Sequence, residues 1–263
     1  VISILIPVKD GGEDFARCLD AIATQQVDEP YEVVVVDSGS SDGTPDLARE
    51  RGARVTEIPA AEFHHGGTRN LAAGLARGEK LVFTTHDAYP ASDDWLAKLT
   101  RHLDDPEVAG AYGRQIAHEG ARPPERFFLD FVYGPEPRVQ AATSAEELSM
   151  ETTLFSNVNA AIRREALERF PFSEEIIMSE DQDFSRRALL AGLKLVYDPE
   201  AAVRHSHDYT IATAFRHFFD LGVSGDDTWL AAQKPSRAVL RRNAIRYGRE
   251  ELRWMARTGN ARW

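Results

Sequence analysis

Residues 31–44 read YEVVVVDSGSSDGT, and this stretch decides the fold class. Four consecutive valines make a continuous apolar run, the composition of a strand buried on both faces. The run stops at Asp37, and small polar residues follow. From Thr44 to Arg51 the pattern reads as a helix, with Pro45 early enough to be tolerated in a first turn. A buried strand that feeds a helix through a small-residue turn is the repeating unit of an α/β protein.

The same unit recurs on either side. Ile2 to Val8 is an apolar strand closed by Lys9-Asp10-Gly11-Gly12, and Phe15, Cys18, Leu19 and Ile22 then fall at helical spacing. Ala53 to Ile58 predicts a third strand and Thr68 to Arg77 a helix ended by Gly78. Lys80 to Thr85 predicts a strand ending at His86-Asp87, with Trp95, Leu96, Leu99 and Leu103 marking the next helix. From Gly113 to Met150 four prolines and clustered aromatics weaken the pattern, which predicts an irregular excursion. Regular structure resumes over 157–163 and in a helix over 180–191, with Phe184, Ala188 and Ala191 on one face. Lys194–Tyr197 and Ala201–His205 read as edge strands. Ile211, Ala214, Phe215 and Phe218 form a helical face, and Ser236 to Thr258 reads as a long basic helix. These segments predict a mostly parallel central sheet with helices on both faces over residues 1–210, plus a helical extension over 211–263. In such sheets ligands bind beyond the carboxyl ends of the strands. The polar clusters after Val8, Val36 and Thr84 all lie at such ends.

Composition narrows the function classes. Hydrophobic residues at 43% and charged residues at 28% are ordinary for a soluble globular domain. The start VISILIPVKD lacks the basic region and cleavage site of a signal peptide, so a cytoplasmic location is expected. The single cysteine, Cys18, excludes an internal disulfide and reads as a small core residue. A net charge of −11 argues against nucleic acid as a partner. The charge is uneven: eight arginines against two glutamates give the last 29 residues +6, leaving −17 for the remainder. Such a tail either contacts anionic lipid, giving a peripheral membrane location, or packs on protein.

Five clusters carry chemistry. Asp37-Ser38-Gly39-Ser40-Ser41-Asp42-Gly43-Thr44 is either an ordinary capped turn or a loop that holds a ribose or base. His64-His65-Gly66-Gly67-Thr68-Arg69-Asn70 is either a flexible loop or an anion site at a helix start, with Arg69 as counter-charge. Metal ligation by the adjacent His64 and His65 is the weaker reading, since neighbours rarely point at one ion. Asp87 in Thr84-Thr85-His86-Asp87-Ala88 suits a hard divalent cation that also grips phosphates. Ser179-Glu180-Asp181-Gln182-Asp183 is either a dipole-favoured helix start or the seat of a general base. His205-Ser206-His207 offers a metal or phosphate ligand, or a solvated loop histidine.

Taken in order, Ile6-Pro7-Val8, Asp37 with Ser41-Asp42-Gly43-Thr44, Gly67-Thr68-Arg69-Asn70, a strand-end Asp87 and Glu180-Asp181 resemble glycosyltransferase family 2. The resemblance implies the GT-A (nucleotide-diphospho-sugar transferase) fold and inverting transfer of a sugar from a nucleoside diphosphate to an acceptor hydroxyl. It implies that Pro7, Asp37, Ser38 and Asp42 line the nucleoside pocket, and that Gly67, Arg69, Asn70, His86 and Asp87 lie along the donor. Asp87 corresponds to the last aspartate of the family's Asp-x-Asp metal motif and, with His205, would hold Mg²⁺ or Mn²⁺. Asp181 corresponds to the catalytic base, with Glu180 beside it. The chain departs from the pattern at Thr85, which stands where the motif has its first aspartate. Phe63-His64-His65-Gly66-Gly67-Thr68-Arg69-Asn70 and Thr85-His86-Asp87-Ala88 look like the rhamnosyltransferase branch. That branch implies dTDP-L-rhamnose as donor, a saccharide or lipid-linked saccharide as acceptor, and cell-surface polysaccharide as product. The alternatives are a sugar nucleotidyltransferase, which Lys9-Asp10-Gly11-Gly12 fits poorly, and a non-catalytic nucleotide-sugar-binding protein.

Overall fold

A computed structural model describes residues 1–207, 213, 215–216, 219, 236–260 and 262. Its first half is the predicted alternation: β1 (Ile2–Val8), α1 (Gly12–Ala23), β2 (Tyr31–Asp37), α2 (Thr44–Glu50), β3 (Arg54–Glu57), α3 (His65–Leu75), β4 (Lys80–Thr84), β5 (Tyr89–Pro90) and α4 (Trp95–Thr100). The second half runs β6 (Val108–Ile116), α5 (Pro123–Val132), β7 (Arg138–Gln140), β8 (Asn159–Arg163), α6 (Arg164–Arg169), α7 (Glu180–Leu190), β9 (Lys194–Arg204) and α8 (Arg237–Arg257).

All strands join one sheet in the order β3-β2-β1-β4-β8-β6-β9-β5, with β7 on β9. The first four strands are parallel, as the alternation predicts. Beyond β4 the sheet is mixed: β8 is antiparallel to β4 and β6, and β9 is parallel to β6. The apolar runs read as buried on both faces because they are. Ile2, Ile4, Ile6 and Val8 of β1 point to α1 and α4, packing on Phe15, Leu19, Trp95 and Leu99. Leu5, with Val34, Val36, Leu81 and Phe83, points to the other layer, where α3 and α7 contribute Ala72, Phe184 and Leu189. Cys18 is buried among the first set, with its thiol near Ala88 O at 3.2 Å.

Three elements differ from expectation. Residues 108–116 form a long buried strand, and 123–132 a helix, in or beside the region expected to be irregular. Residues 194–204 are one interior strand rather than two edge strands. Pro199 interrupts the sequence pattern, and the sheet absorbs it as a register shift against β6 between Gly113 and Gln115. Gly113 makes that irregularity possible, since a Cβ there would stand 1.8 Å from Ala201 O. Asn159 fills the gap: its amide donates to Ala201 O at 2.8 Å, and its oxygen accepts from the fully buried Trp95 indole at 2.9 Å. Ala191 lies one residue past the end of α7. The expected face of Ile211, Ala214 and Phe218, and the boundary at 210/211, fall outside the described residues.

The chain leaves β1 toward β2 and β3 on one side and returns to β4 on the other. This reversal places a crevice beyond the carboxyl ends of β1, β2 and β4. Antiparallel β8 starts at that same end, since Thr84 pairs with Asn159, and parallel β6 and β9 finish there.

Candidate active site

The loops after β1 and β2 hold each other. Ser41 N donates to Asp10 Oδ1 at 2.8 Å, and Gly12 N to Asp42 Oδ2 at 3.1 Å. Asp37, 1% exposed, accepts from Gly39 N and Ser40 N. Asp37 and Asp42 therefore shape the loop before any ligand arrives, though each carboxylate retains accepting capacity. Pro7 lies buried in β1 next to them. Ser38 is the informative member: its hydroxyl is buried with no partner, an unsatisfied polar atom in the expected crevice.

The segment from His64 to Asn70 is tied into the fold by its own contacts. His64 is the N-cap of α3, and its Nδ1 accepts from Gly66 N and Gly67 N at 3.2 Å each. The helix amides offered to a phosphate are thus already engaged. Gly66 exists for close packing, because a Cβ there would stand 2.2 Å from Ser173 O. Asn70 clamps the same loop, accepting from Phe172 N at 3.1 Å and donating to Phe172 O at 2.9 Å. Arg69, 6% exposed, points inward to Glu180 at 3.3 Å and donates to His65 O at 2.9 Å. Arg69 thus ties α3 to the acidic start of α7, while Gly66, Gly67 and Asn70 lie against the 172–174 loop.

Asp87 stands at the end of β4, and β9 delivers two histidines to it. Both His205 Nε2 and His207 Nδ1 lie 3.7 Å from Asp87 Oδ2. One ligand atom from each of the three falls within 4.8 Å of the others, a spacing that one divalent cation can bridge. His207 extends the expected pair, and the His-x-His spacing at a strand end was its signal. Burial pushes His205 down to about 4 against the pull of Asp87, so at neutral pH its imidazole is uncharged and able to ligate. Burial would raise the Asp87 carboxyl, but His205, His86 and His207 outweigh it and bring it below the usual value.

Gln115 orients this cluster. Its Nε2 donates to Tyr133 Oη at 2.8 Å and to Ser156 Oγ at 3.0 Å, so its Oε1 is left to accept at 2.9 Å from His205 Nδ1. That assigns the proton to Nδ1 and turns the Nε2 lone pair toward Asp87. No sequence signal marked Gln115, which lies in the segment read as irregular. A cleft of about 640 Å³ opens beside the cluster, lined by Asp87, His207, Tyr89, His118, Arg17 and Arg204. Arg17 and Arg204 supply positive charge to the wall of this cleft.

Glu180 and Asp181 begin α7 directly after Ser179, whose φ of 70° is left-handed. Glu180 is 4% exposed and bonded to Asn157 Nδ2 at 3.1 Å as well as to Arg69. Burial alone would raise it, but Arg69, Asn157 and His65 hold it below the usual carboxylate range. Asp181 behaves oppositely. Burial first, then the Glu180 charge, pushes it up to about 7, although Asn157 N at 3.0 Å and Gln182 N at 2.8 Å donate to its two oxygens. Two adjacent carboxyls are thus split, one kept ionised and one tuned near neutrality. Asp87 and Asp181 lie at the same end of the sheet. His205, Gln115 and Ser156 are hydrogen-bonded in series, and the next residue, Asn157, donates to Asp181.

Residues 3–170 match Glycosyl transferase family 2. The O-antigen chain rhamnosyltransferase RfbN of Salmonella typhimurium is 37% identical over 225 residues, covering 84% of this chain and 71% of that protein. The O-antigen chain rhamnosyltransferase WbaN of Salmonella anatum is 36% identical, covering 76% of this chain and 64% of its own length. In fold, the chain is similar to the mannosyltransferase PcManGT from Pyrobaculum calidifontis, solved with GDP-Man and Mn²⁺. The TM-score is 0.66 at 21% identity, over 99% of this chain and 75% of that one. The GT-A architecture is therefore shared, and the sugar-nucleotidyltransferase alternative falls away. With the family pattern running through more than half of its length, this chain belongs to glycosyl transferase family 2 and is a glycosyltransferase.

Proposed function

We propose that the chain transfers L-rhamnose from dTDP-L-rhamnose to a hydroxyl of a saccharide, lipid-linked, during assembly of a cell-surface polysaccharide. The names of its two Salmonella relatives support the sugar and the product class. The observation that carries the chemistry is Asp181, held by Asn157 N and Gln182 N at the start of α7, at the end of the sheet where Asp87, His205 and His207 converge.

Asp181 accepts the proton of the acceptor hydroxyl while that oxygen attacks the anomeric carbon from the face opposite the diphosphate. The new C–O bond forms, the bond to the diphosphate breaks, and the leaving oxygen keeps the electron pair. Configuration inverts because there is one displacement. Asp87, His205 and His207 would hold Mg²⁺ or Mn²⁺, whose contribution when bound is to neutralise charge on the diphosphate. Arg17 and Arg204 add positive charge from the cleft wall. Glu180 and Arg69 position α7 and keep Asp181 as the proton acceptor. The orphaned Ser38 hydroxyl, with Asp37, Asp42 and Pro7, belongs to the nucleoside end. No helix among the described residues is long and apolar enough to cross a membrane. A lipid-linked acceptor would place the working enzyme at the inner membrane face.

A thermal-shift series tests this reading. With Mn²⁺ present, dTDP-L-rhamnose should stabilise the chain more than UDP or GDP sugars do. Equal responses across the bases would remove the donor assignment. Asp181→Asn tests the base: it should abolish transfer while keeping donor affinity within a few-fold, and unchanged turnover would refute the assignment.

A further inference from the structure

Helix α8 carries a charge arrangement that sugar transfer does not use. At about 100° per residue, Arg241, Arg242, Arg246, Arg249 and Arg253 fall within one arc of roughly 140°. Ile245 and Leu252, 46% and 69% exposed, lie inside that arc between the arginines, with Ala238 and Ala256. Glu250 and Glu251 lie outside it. Among the described residues none of the five arginines is drawn into an ion pair; Arg246 alone has another partner, the Phe131 ring at 5.8 Å. The opposite face is the packed one. Tyr247 meets Phe127 and Phe131 of α5 at 5.1 Å each, Trp254 meets Phe127 at 6.0 Å, and Met255 is buried. The aromatic seam thus pins α8 and turns its arginines outward. At the first turn of α5, Glu125 accepts from His207 N at 3.4 Å, so the helix that carries α8 also touches the Asp87 cluster.

We propose that this face of α8 rests on an anionic lipid surface beside the active-site cleft. The inference deepens the proposed function and rests on it only for purpose, since a lipid-linked acceptor would be found there. Arginine stems lie along the apolar stripe while their guanidinium groups reach lipid phosphates. The rest of the chain, at −17, is repelled by the same surface, which orients the protein with α8 toward it. That body also sets nucleic acid aside as the occupant.

The test is flotation of the full chain with vesicles of phosphatidylcholine alone and with phosphatidylglycerol added. Binding should require phosphatidylglycerol and weaken as salt rises. Each arginine near the surface contributes about fivefold, so R241Q/R249Q/R253Q should lower partition about 100-fold. Ile245→Ser with Leu252→Ser should also weaken binding while leaving its salt dependence. Circular dichroism confirms that α8 persists in these variants. No binding, equal binding to both vesicles, or wild-type partition by the triple variant overturns the proposal. So does a concentration-dependent dimer that the same substitutions abolish while vesicles are ignored; α8 would then belong to a second copy. Stabilisation by dTDP-L-rhamnose with Mn²⁺ is measured on the same variants. Its absence with vesicle binding intact sinks the dTDP-L-rhamnose assignment and leaves this one standing.

Discussion

Gln115→Leu should weaken metal binding although Gln115 touches no metal. Three hydrogen bonds converge on its amide, from His205 Nδ1 at 2.9 Å and to Tyr133 Oη and Ser156 Oγ at 2.8 and 3.0 Å. Leucine keeps most of the volume and removes all three. His205 then loses the acceptor that fixes its tautomer, and its Nε2 lone pair is no longer held toward Asp87. Losing such an outer partner costs roughly 10–100-fold in metal affinity, or about 1.4–2.7 kcal/mol. The buried Tyr133 hydroxyl also loses one of its two partners and keeps Ser156, which costs about 0.5–1.5 kcal/mol of stability. Calorimetric titration of Mn²⁺ with a nucleoside diphosphate present reads the first effect, and Tm the second. Gln115→Glu separates the two. Its carboxylate still accepts from His205 Nδ1, and the Tyr133 and Ser156 hydroxyls can rotate to donate to it. Mn²⁺ affinity should therefore stay within a few-fold of wild type. Wild-type Mn²⁺ affinity in a folded Gln115→Leu protein would refute the orienting role.

Other expectations follow from the same site. Transfer should show a rising limb with an apparent pKa of about 7, since Asp181 must be ionised to accept a proton, and Asp181→Asn should lose about 10²–10⁴-fold. The sign for stability is the reverse: a carboxyl raised in the folded state contributes most at low pH and loses that contribution between its unfolded value and about 7. Asp181→Asn should then raise Tm more at pH 8 than at pH 4, and an equal shift at both would remove burial as the cause. Asp87→Ala or His207→Ala should abolish Mn²⁺-dependent donor binding by calorimetry, and wild-type Mn²⁺ dependence in either excludes that ligand. Gly66→Ala should lower Tm by forcing the backbone off Ser173 O, at about 1–3 kcal/mol, and an unchanged Tm would mean the 172–174 loop yields freely.

The parallel half of the fold was legible because each strand there is a short apolar run between turn residues, and each helix has one apolar stripe. The mixed half was harder. β6 reads VAGAYGRQI, with two glycines and two alanines in place of branched residues, so its burial left little periodic trace. β9 looked like two strands because Pro199 breaks the local rule that β6 and Asn159 repair from a distance. Asp87, Asp181 and His205 were legible as strand-end or helix-start polar residues. The partner of Arg69 was not legible: a cation after two glycines suits a phosphate as well as a carboxylate, and only tertiary packing shows that Glu180 pairs with it. Gln115 and Asn157 were invisible because their work is done through partners far away in sequence.

Thr85 bears on how the two halves cooperate. A cation held by two aspartates of one loop would be a property of β4 alone. Here β4 supplies one carboxylate, and the end of β9 supplies two imidazoles, one of them neutral because it is buried. If the three residues hold a cation, the nitrogen donors would offset the missing carboxylate and favour Mn²⁺ over the all-oxygen shell that Mg²⁺ prefers. They also change the geometry of control. β4 belongs to the parallel half of the sheet, while the end of β9 is tied through Gln115 to Ser156, the residue before the Asn157 that donates to Asp181. A cation between Asp87 and the histidines would span both halves, and a donor diphosphate seated on it would then bear on the elements that hold Asp181.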